Sequence, residues 1–293
     1  MKKEISLIIP LGEGLRSDAL DSVSDERIKV IIEKGENPSR NRNRGIKKAK
    51  TPIVAFTNGH ASIYPDWAKN VINFFKRNPD IDIVGGPQHN APDEGPFGRA
   101  SGYAMASIFG SGGIWRRYGG SKEILEADET MLTSSNLACR KKVFKKVMFD
   151  ESIYPGEDPK FISDSKAAGF RIAYSPEIKV CNRRRTGVLT LSKQIFNYGS
   201  VRPMKESLSE TIKRPFFFVP SLFVIYLISL IFYNPIFYLF PIFLYAFLIL
   251  FYSLYLPIKN NDIKSWEYLP FVFISIHISY GLGFIYGMLR KII

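Results

Sequence analysis

The chain has 293 residues, 14% of them aromatic, and a formal net charge of +13. A hydrophobic content of 46% argues against a disordered chain, and the presence of only two cysteines excludes a disulfide scaffold. A mean hydropathy of −0.03 hides long uncharged segments near the C-terminus, which exclude both a wholly soluble and a wholly membrane-embedded protein.

The N-terminal part alternates between predicted strands and predicted helices. Its strands are short, β-branched apolar segments, namely Ile5–Ile9, Ile28–Ile32, Ile53–Phe56 and Ile81–Val84. The helices between and after them are Pro38–Lys50, Pro65–Lys76 and Phe161–Phe170, and two further short strands are Ile172–Tyr174 and Glu177–Val180. This alternation predicts an α/β domain with a parallel sheet, which binds its ligand at the carboxyl ends of the strands.

Two segments of the C-terminal part, residues 215–258 and 268–289, contain no Asp, Glu, Lys or Arg. A membrane-spanning helix needs about 20 apolar residues, and Asn234-Pro235 predicts a turn inside the longer segment. The sequence therefore predicts about three transmembrane helices, at residues 215–233, 235–256 and 268–289.

Basic residues at the ends of these segments predict the topology. Lys213 and Arg214 precede the first segment, and Lys259 and Lys264 lie in the loop before the third. The positive-inside rule then predicts a cytoplasmic domain at residues 1–210 and a multi-pass domain of the plasma membrane at residues 211–293. The pair Arg290-Lys291 would fall on the outer side, a mild violation that a re-entrant or interfacial segment would resolve.

The third apolar segment carries small residues at four-residue intervals, namely Ser279, Gly283 and Gly287. Such a face allows close packing of two helices, either within the chain, which we favour, or between the copies of a homo-oligomer. The basic charge lies next to a membrane and accompanies no nucleic-acid-binding motif, so anionic lipid or phosphate substrates are expected and nucleic acid is not.

Candidate chemistry lies in the loops that follow the predicted strands. Asn58-Gly59-His60 ends the third strand, where a histidine can hold a metal ion, although a single histidine is usually structural. Arg42-Asn43-Arg44-Gly45 suits phosphate or carboxylate recognition, or forms a solvated helix face. In Gly156-Glu157-Asp158, one carboxylate can structure the loop while the other serves as a general base.

Taken in order, these residues resemble the family 2 glycosyltransferases of the GT-A fold over about residues 4–204. The resemblance is to membrane-anchored members of the succinoglycan-biosynthesis type, and it implies a Rossmann-like, mostly parallel sheet. It implies a catalytic pair, Glu157 with Asp158 as the base, and a donor site of Pro10, Glu33, Arg42, Asn43, Gly45, Asn58 and His60. The acceptor and diphosphate residues that it implies are Asn136, Gln194, Tyr198 and Arg202.

The sequence departs from that family at the acidic pair that holds a divalent ion, Mg²⁺ or Mn²⁺, on the donor diphosphate. Asn58-Gly59-His60 stands in its place and lacks both carboxylates. Three alternatives stay open: His60 holds the metal, a cation such as Arg184 or Arg202 replaces it, or the site is inactive.

The favoured hypothesis is an inverting glycosyltransferase that moves a sugar from a nucleotide-diphosphate sugar to a lipid-linked or polysaccharide acceptor in cell-envelope synthesis. The alternative is a catalytically impaired protein that binds the donor and acts as a scaffold. A transporter is disfavoured because three uncharged helices offer no polar path.

Overall fold

The structure, a computed structural model, describes residues 2–14, 17–205, 214–233 and 235–292. The chain divides into two compact units, one of Met1–Pro92 and Arg116–Arg183 and the other of Asp93–Trp115 and Arg184–Ile293. Lys213, Asn234 and the predicted domain boundary at residues 210 and 211 lie outside the described residues. The domain boundary therefore stays a prediction.

In chain order, the strands and helices are β1 (Ile5–Leu11), α1 (Asp18–Asp21), β2 (Ile28–Lys34), α2 (Pro38–Lys48), β3 (Ile53–Thr57), β4 (Ala61–Ile63), α3 (Trp67–Arg77), β5 (Ile83–Gly85), β6 (Gln88–Asn90), α4 (Pro96–Met105), α5 (Ile108–Ser111), α6 (Arg116–Gly119), β7 (Asn136–Arg140), α7 (Glu157–Ala167), β8 (Ile172–Tyr174), β9 (Val180–Asn182), α8 (Val188–Lys205), α9 (Val219–Ser229), α10 (Phe240–Lys259) and α11 (Leu269–Ile292). Short 3₁₀ turns lie at Gly112–Ile114, Lys141–Lys145, Pro215–Phe217, Ile236–Leu239 and Ile263–Ser265.

The first unit contains a six-stranded sheet in the order β2-β1-β3-β7-β5-β8. β1 pairs in parallel with β2 and β3, and β5 pairs in parallel with β8, whereas β7 runs antiparallel to both of its neighbours. The predicted α/β fold with a mostly parallel sheet is confirmed. A second, three-stranded sheet has the order β4-β9-β6.

The continuous apolar character of β1 follows from burial on both faces of the sheet. Ile5, Leu7 and Ile9 pack into one hydrophobic cluster with Trp67 of α3. Ile8 points to the other side, into a cluster that includes the aromatic rings of Phe56, Phe149 and Phe161. Helices therefore cover the sheet on both sides, and the polar side chains collect at the strand ends.

One predicted strand, Glu177–Val180, is displaced along the chain. The backbone N–H of Ile178 donates to the carbonyl oxygen of Ser175 at 3.3 Å and closes a turn there. The strand that follows is β9, Val180–Asn182, and it pairs with β4 and β6 rather than with the main sheet.

The second unit contains the apolar C-terminal helices, and two of them are long and apolar enough to cross a membrane. These are Ile236–Lys259, which includes α10, and Leu269–Lys291 of α11. The first of the three predicted segments differs, because α9 has only 11 residues and measures about 16 Å, against a hydrocarbon core of about 30 Å. Pro220, in the first turn of α9, fixes its start, so this helix is shorter than the predicted segment at residues 215–233, and that span stays a prediction.

Candidate functional site

The carboxyl end of β3 is the point where polar residues from three elements meet. Because β7 runs antiparallel to β3, its first residues lie at this same end, and Thr57 pairs with Asn136 in register. The hydroxyl of Thr57 donates to the carbonyl oxygen of Ser135 at 3.0 Å, and the side-chain amide of Asn58 donates to the Ser135 hydroxyl. Ser135 was not assigned a role from the sequence, and its position just before a strand was the available signal.

Arg42 connects this end of the sheet to the carboxylates of α7. Its Nη1 lies 3.1 Å from Oε1 of Glu157 and 3.8 Å from Oδ1 of Asp158. Its Nη2 donates to Oδ1 of Asn58 at 3.5 Å, and its guanidinium lies over the Phe149 ring. We call Arg42, Asn58, Glu157 and Asp158 the Arg42 cluster.

The two carboxylates of the Arg42 cluster differ in environment. Glu157 is buried, and its Oε2 accepts a hydrogen bond from the backbone N–H of Gly156 at 2.9 Å. Burial, and then the charge of Asp158, raise the pKa of Glu157, against the lowering effect of Arg42. The side chain of Asp158 is 20% exposed. Glu157 therefore structures the cluster, and Asp158 is the carboxylate that is open to a substrate.

Two atoms of the cluster are buried without a hydrogen-bond partner among the described residues, Nε of Arg42 and Oδ1 of Asp158. Buried polar atoms are usually satisfied, so a buried N–H of Arg42 and a buried carboxylate oxygen of Asp158 that lack hydrogen bonds indicate a place for a polar ligand. The N-terminus of α7 adds a partial positive charge near Asp158.

The residues of the Arg42-Asn43-Arg44-Gly45 motif have two kinds of role: some lie in the site, and others hold the surrounding structure in place. Asn43 donates to the carbonyl oxygen of Phe149 and to Glu151, both at 2.9 Å, and so fixes the segment that leads to the carboxylates. Gly45 lets α2 approach the sheet, because a Cβ there would lie 2.6 Å from Cγ2 of Ile8. Within this motif, the guanidinium of Arg42 is the group that reaches the carboxylates.

Glu33, which the resemblance places at the nucleotide base, is buried and already paired. Lys48 Nζ lies 2.6 Å from its Oε1, and Arg44 Nε lies 3.3 Å from its Oε2. Both cations belong to α2, so Glu33 joins β2 to that helix. Pro10, partly buried, pairs with Glu33 across β1 and β2.

The loop Asn58-Gly59-His60 forms a turn, in which the backbone N–H of Ala61 donates to the Asn58 carbonyl oxygen at 3.1 Å. The Asn58 amide is already oriented by Ser135 and Arg42, and His60 is exposed. Among the residues that the structure describes, no three His, Cys, Asp or Glu side chains come together as metal ligands. Mg²⁺ and Mn²⁺ prefer carboxylate and other oxygen ligands, so this donor set does not fit them.

Asn136, predicted on the acceptor side, is buried at the start of β7. Its Oδ1 accepts from Nε1 of Trp67 at 2.9 Å, and its amide nitrogen donates to the carbonyl oxygens of Ile178 and Pro87 at 2.6 and 3.3 Å. These contacts occupy both the oxygen and the nitrogen of the Asn136 side-chain amide. They support a role in joining the two sheets and leave no exposed group for an acceptor.

Replacing Asn136 with alanine is expected to destabilise the protein without changing acceptor recognition. The change leaves the Trp67 N–H and two carbonyl groups without their partner, at a cost of about 1–3 kcal/mol. Asn70→Ala is the matched control, since Asn70 donates to the Glu177 carbonyl oxygen from an exposed position. Thermal unfolding and the acceptor KM measure the two effects; a raised KM at unchanged stability would contradict this role.

The remaining predicted residues, Gln194, Tyr198 and Arg202, lie on α8 in the second unit. Nε2 of Gln194 donates to the Tyr198 hydroxyl at 2.9 Å. Arg202 is buried, and its guanidinium carbon lies 3.7 Å from the centre of the Phe217 ring. The backbone N–H of Arg184 donates to the Glu94 carboxylate. These contacts place Arg202 in the packing of the second unit.

The mostly parallel sheet makes the first unit an α/β domain. In such domains the ligand site lies at the carboxyl ends of the strands, where the carboxylate pair and the buried arginine are found here. Residues 15–148 match the family model described as Glycosyl transferase family 2. The match covers a little under half of the chain, and within it the chain is similar to glycosyltransferase family 2 domains. The matched residues include Arg42 and Asn58, whereas Glu157 and Asp158 follow them.

Solved structures with a similar fold include the crystal structure of S. aureus TarS, with a TM-score of 0.47 and 14% identity over 73% of this chain and 43% of that chain. Another is the crystal structure of A197 from STIV, with a TM-score of 0.41 and 12% identity over 62% of this chain and 87% of that chain. The chain therefore spans less than half the length of TarS. No curated protein matches the sequence.

Proposed function

We propose that the protein is a membrane-anchored, inverting glycosyltransferase that uses a nucleotide-diphosphate sugar as its donor. The observation that carries the proposal is the Arg42 cluster, in which Asp158 remains partly exposed beside a buried, paired Glu157. The two helices that are long enough to span a membrane support anchoring. They also support a lipid-linked or polysaccharide acceptor and a role in the cell envelope.

In the proposed reaction, Asp158 accepts the proton of an acceptor hydroxyl while that oxygen attacks the anomeric carbon of the donor sugar. The new carbon–oxygen bond forms as the bond to the diphosphate breaks, and the nucleoside diphosphate leaves with the bonding electrons. Arg42 keeps Glu157 paired and offers its unpartnered Nε to an anionic group. Fixed cations stabilise the charge that develops on the leaving group.

The test uses the purified full-length chain in detergent with a panel of UDP- and GDP-sugars and an extract that contains polyprenyl phosphate acceptors. Transfer is measured with Mg²⁺, with Mn²⁺ and with EDTA. Transfer of any donor sugar supports the proposal. Transfer that continues in EDTA would assign charge neutralisation to side chains, and transfer that stops would assign it to a metal.

A catalytically impaired donor-binding scaffold is the second candidate, because Asn58-Gly59-His60 lacks the acidic pair of the family. Donor binding by calorimetry without transfer in any condition would favour it. The intact pairing of Arg42 with Glu157 and Asp158 argues against it, since a scaffold has no need for an open carboxylate beside a buried pair.

A further inference from the structure

In the second unit, α11 is accompanied by α8 along its C-terminal half. A methyl group at Gly283 would overlap the carbonyl oxygen of Phe196, and a methyl group at Gly287 would overlap that of Ser200. The second pair lies four residues further along both helices, so the two helices run parallel. The small residues at four-residue intervals therefore serve packing within the chain, as the sequence analysis favoured.

This register fixes which residues of α8 lie beside the middle of α11. Lys193 lies about one turn before Phe196, whose carbonyl oxygen faces Gly283, and so lies beside the middle part of Leu269–Ile292. Lys193 and Asn197 are both exposed. If α11 crossed the bilayer, the Lys193 ammonium would lie at a depth where a charged side chain is costly.

The exposed surface of α11 is a single apolar stripe rather than a lipid-facing surface all round. Its large exposed residues are Phe271, Ile274, Leu282, Tyr286 and Leu289, spaced at helical intervals. Half of the apolar window of α11 is buried, against 17% for that of Ile236–Lys259. The stripe is therefore the surface that α11 offers to acyl chains, and the rest of the helix packs within the second unit.

Basic residues lie at both ends of α11. Lys264 precedes it, and Arg290 and Lys291 lie in its last turn. Nζ of Lys291 donates to the carbonyl oxygen of Pro203 near the end of α8. Cations at both ends suit a helix that lies along a layer of anionic headgroups, because basic residues near such a surface are attracted to it.

We propose that α11 does not cross the membrane but lies in the interface of an anionic bilayer, paired with α8. Its apolar stripe faces the acyl chains, and Lys193 and Asn197 of α8 face water. Both ends of α11 lie on the same side of the membrane, and α9 and α10 together enter the hydrocarbon and return to that side. This arrangement removes the violation of the positive-inside rule at Arg290-Lys291.

The first test measures immersion depth with nitroxide labels on the full-length chain in vesicles of phosphatidylcholine and phosphatidylglycerol. Single cysteines at Phe271, Leu282 and Leu289 sample the stripe, and the matched series on α10 is Phe240, Phe247 and Leu254, all exposed. Wild-type protein gives the background, because both native cysteines are buried.

We expect the three stripe positions to share one shallow depth, about 5–10 Å below the headgroups, while the α10 series changes with position. A deep Leu282 between a shallow Phe271 and a shallow Leu289 is the profile of a spanning helix and would overturn the proposal.

A second test uses the sidedness of labelling and does not depend on depth. The variants Asn260→Cys and Arg290→Cys each place one cysteine at an exposed position. Residue 260 lies between α10 and α11, and residue 290 lies in the last turn of α11. A membrane-impermeant maleimide applied to sealed vesicles should label both variants from the same side. Labelling of the two variants from opposite sides would show that α11 crosses the membrane.

Discussion

The Asp158→Asn variant is expected to lose sugar transfer by about 10²- to 10⁴-fold, the usual contribution of a general base. Asparagine keeps the size of the side chain and its place in the first turn of α7, but it cannot accept the acceptor proton. The ion pair between Arg42 and Glu157 at 3.1 Å does not involve the changed group. Donor binding and thermal stability are therefore expected to change little.

The matched control is Asp164→Asn, since Asp164 lies on the same helix in an exposed ion pair with Lys160 at 2.7 Å. Transfer rates are measured with the donor that the panel identifies, and donor affinity is measured by calorimetry. Asp158→Asn protein that transfers sugar at the wild-type rate would remove Asp158 from the reaction. Loss of donor binding together with activity would instead indicate that Asp158 positions the donor.

The strand order of the first unit shows what a single sequence can and cannot predict. The apolar segments beginning at Ile5, Ile28 and Ile53 were located correctly, because strands buried on both faces are apolar throughout. The antiparallel insertion of β7 between β3 and β5 depends on long-range pairing and was not predicted. That insertion brings Ser135 to the site and buries Asn136. The acceptor role of Asn136 was predicted without knowledge of this strand pairing, which the sequence does not show.

The carboxylate pair and Arg42 were predictable from residue type and order, but their partners were not. Adjacent carboxylates must point in different directions, and the structure assigns Glu157 to Arg42. In contrast, the position of Glu33 directly after a predicted strand suggested that its carboxylate was available to contact the donor nucleotide. Arg44 and Lys48 lie one turn apart on α2, and their approach to Glu33 depends on the packing of that helix on β2.

Composition alone does not fix the bounds or the neighbours of the apolar C-terminal helices. A long uncharged segment indicates burial or lipid contact, but it does not show where a helix begins or what lies beside it. Pro220 and Pro241 fix the starts of α9 and α10 in their first turns. The partner of α11, the polar α8, becomes visible only in the packing of Gly283 and Gly287.

Arg42→Ala is expected to cause the largest loss of stability among single changes in the site, about 3–5 kcal/mol. The guanidinium is buried and paired, and its removal leaves Glu157 buried without its cation. Thermal unfolding followed by tryptophan fluorescence in detergent reports this loss, because Trp67 lies in the core of the same unit. Under the proposed function, in which Arg42 contacts an anionic group of the donor, donor affinity should fall in the same variant.

Arg40→Ala is the matched control, because Arg40 lies on the same helix, α2, and forms an ion pair with Glu151 in which the side chains are 62% and 42% exposed. Exposed pairs contribute about 0–1 kcal/mol, so this variant should unfold close to the wild-type temperature. Equal stability of the Arg40→Ala and Arg42→Ala variants would show that the buried ion pair stabilises the fold no more than the exposed one does.

The pH dependence of the Arg42→Ala variant separates loss of charge pairing from loss of packing. The pKa of Glu157 is already raised by burial, and without Arg42 it rises further. A buried carboxyl group with a raised folded-state pKa does not destabilise the fold while it is protonated. As the pH rises through that pKa, the buried group becomes charged and stability is lost. The stability difference from the wild type should therefore widen from pH 5 to pH 8. Glu157→Gln removes the buried charge at this position, so the stability difference between Glu157→Gln and the double variant Glu157→Gln, Arg42→Ala should stay constant with pH, and part of the lost stability should return.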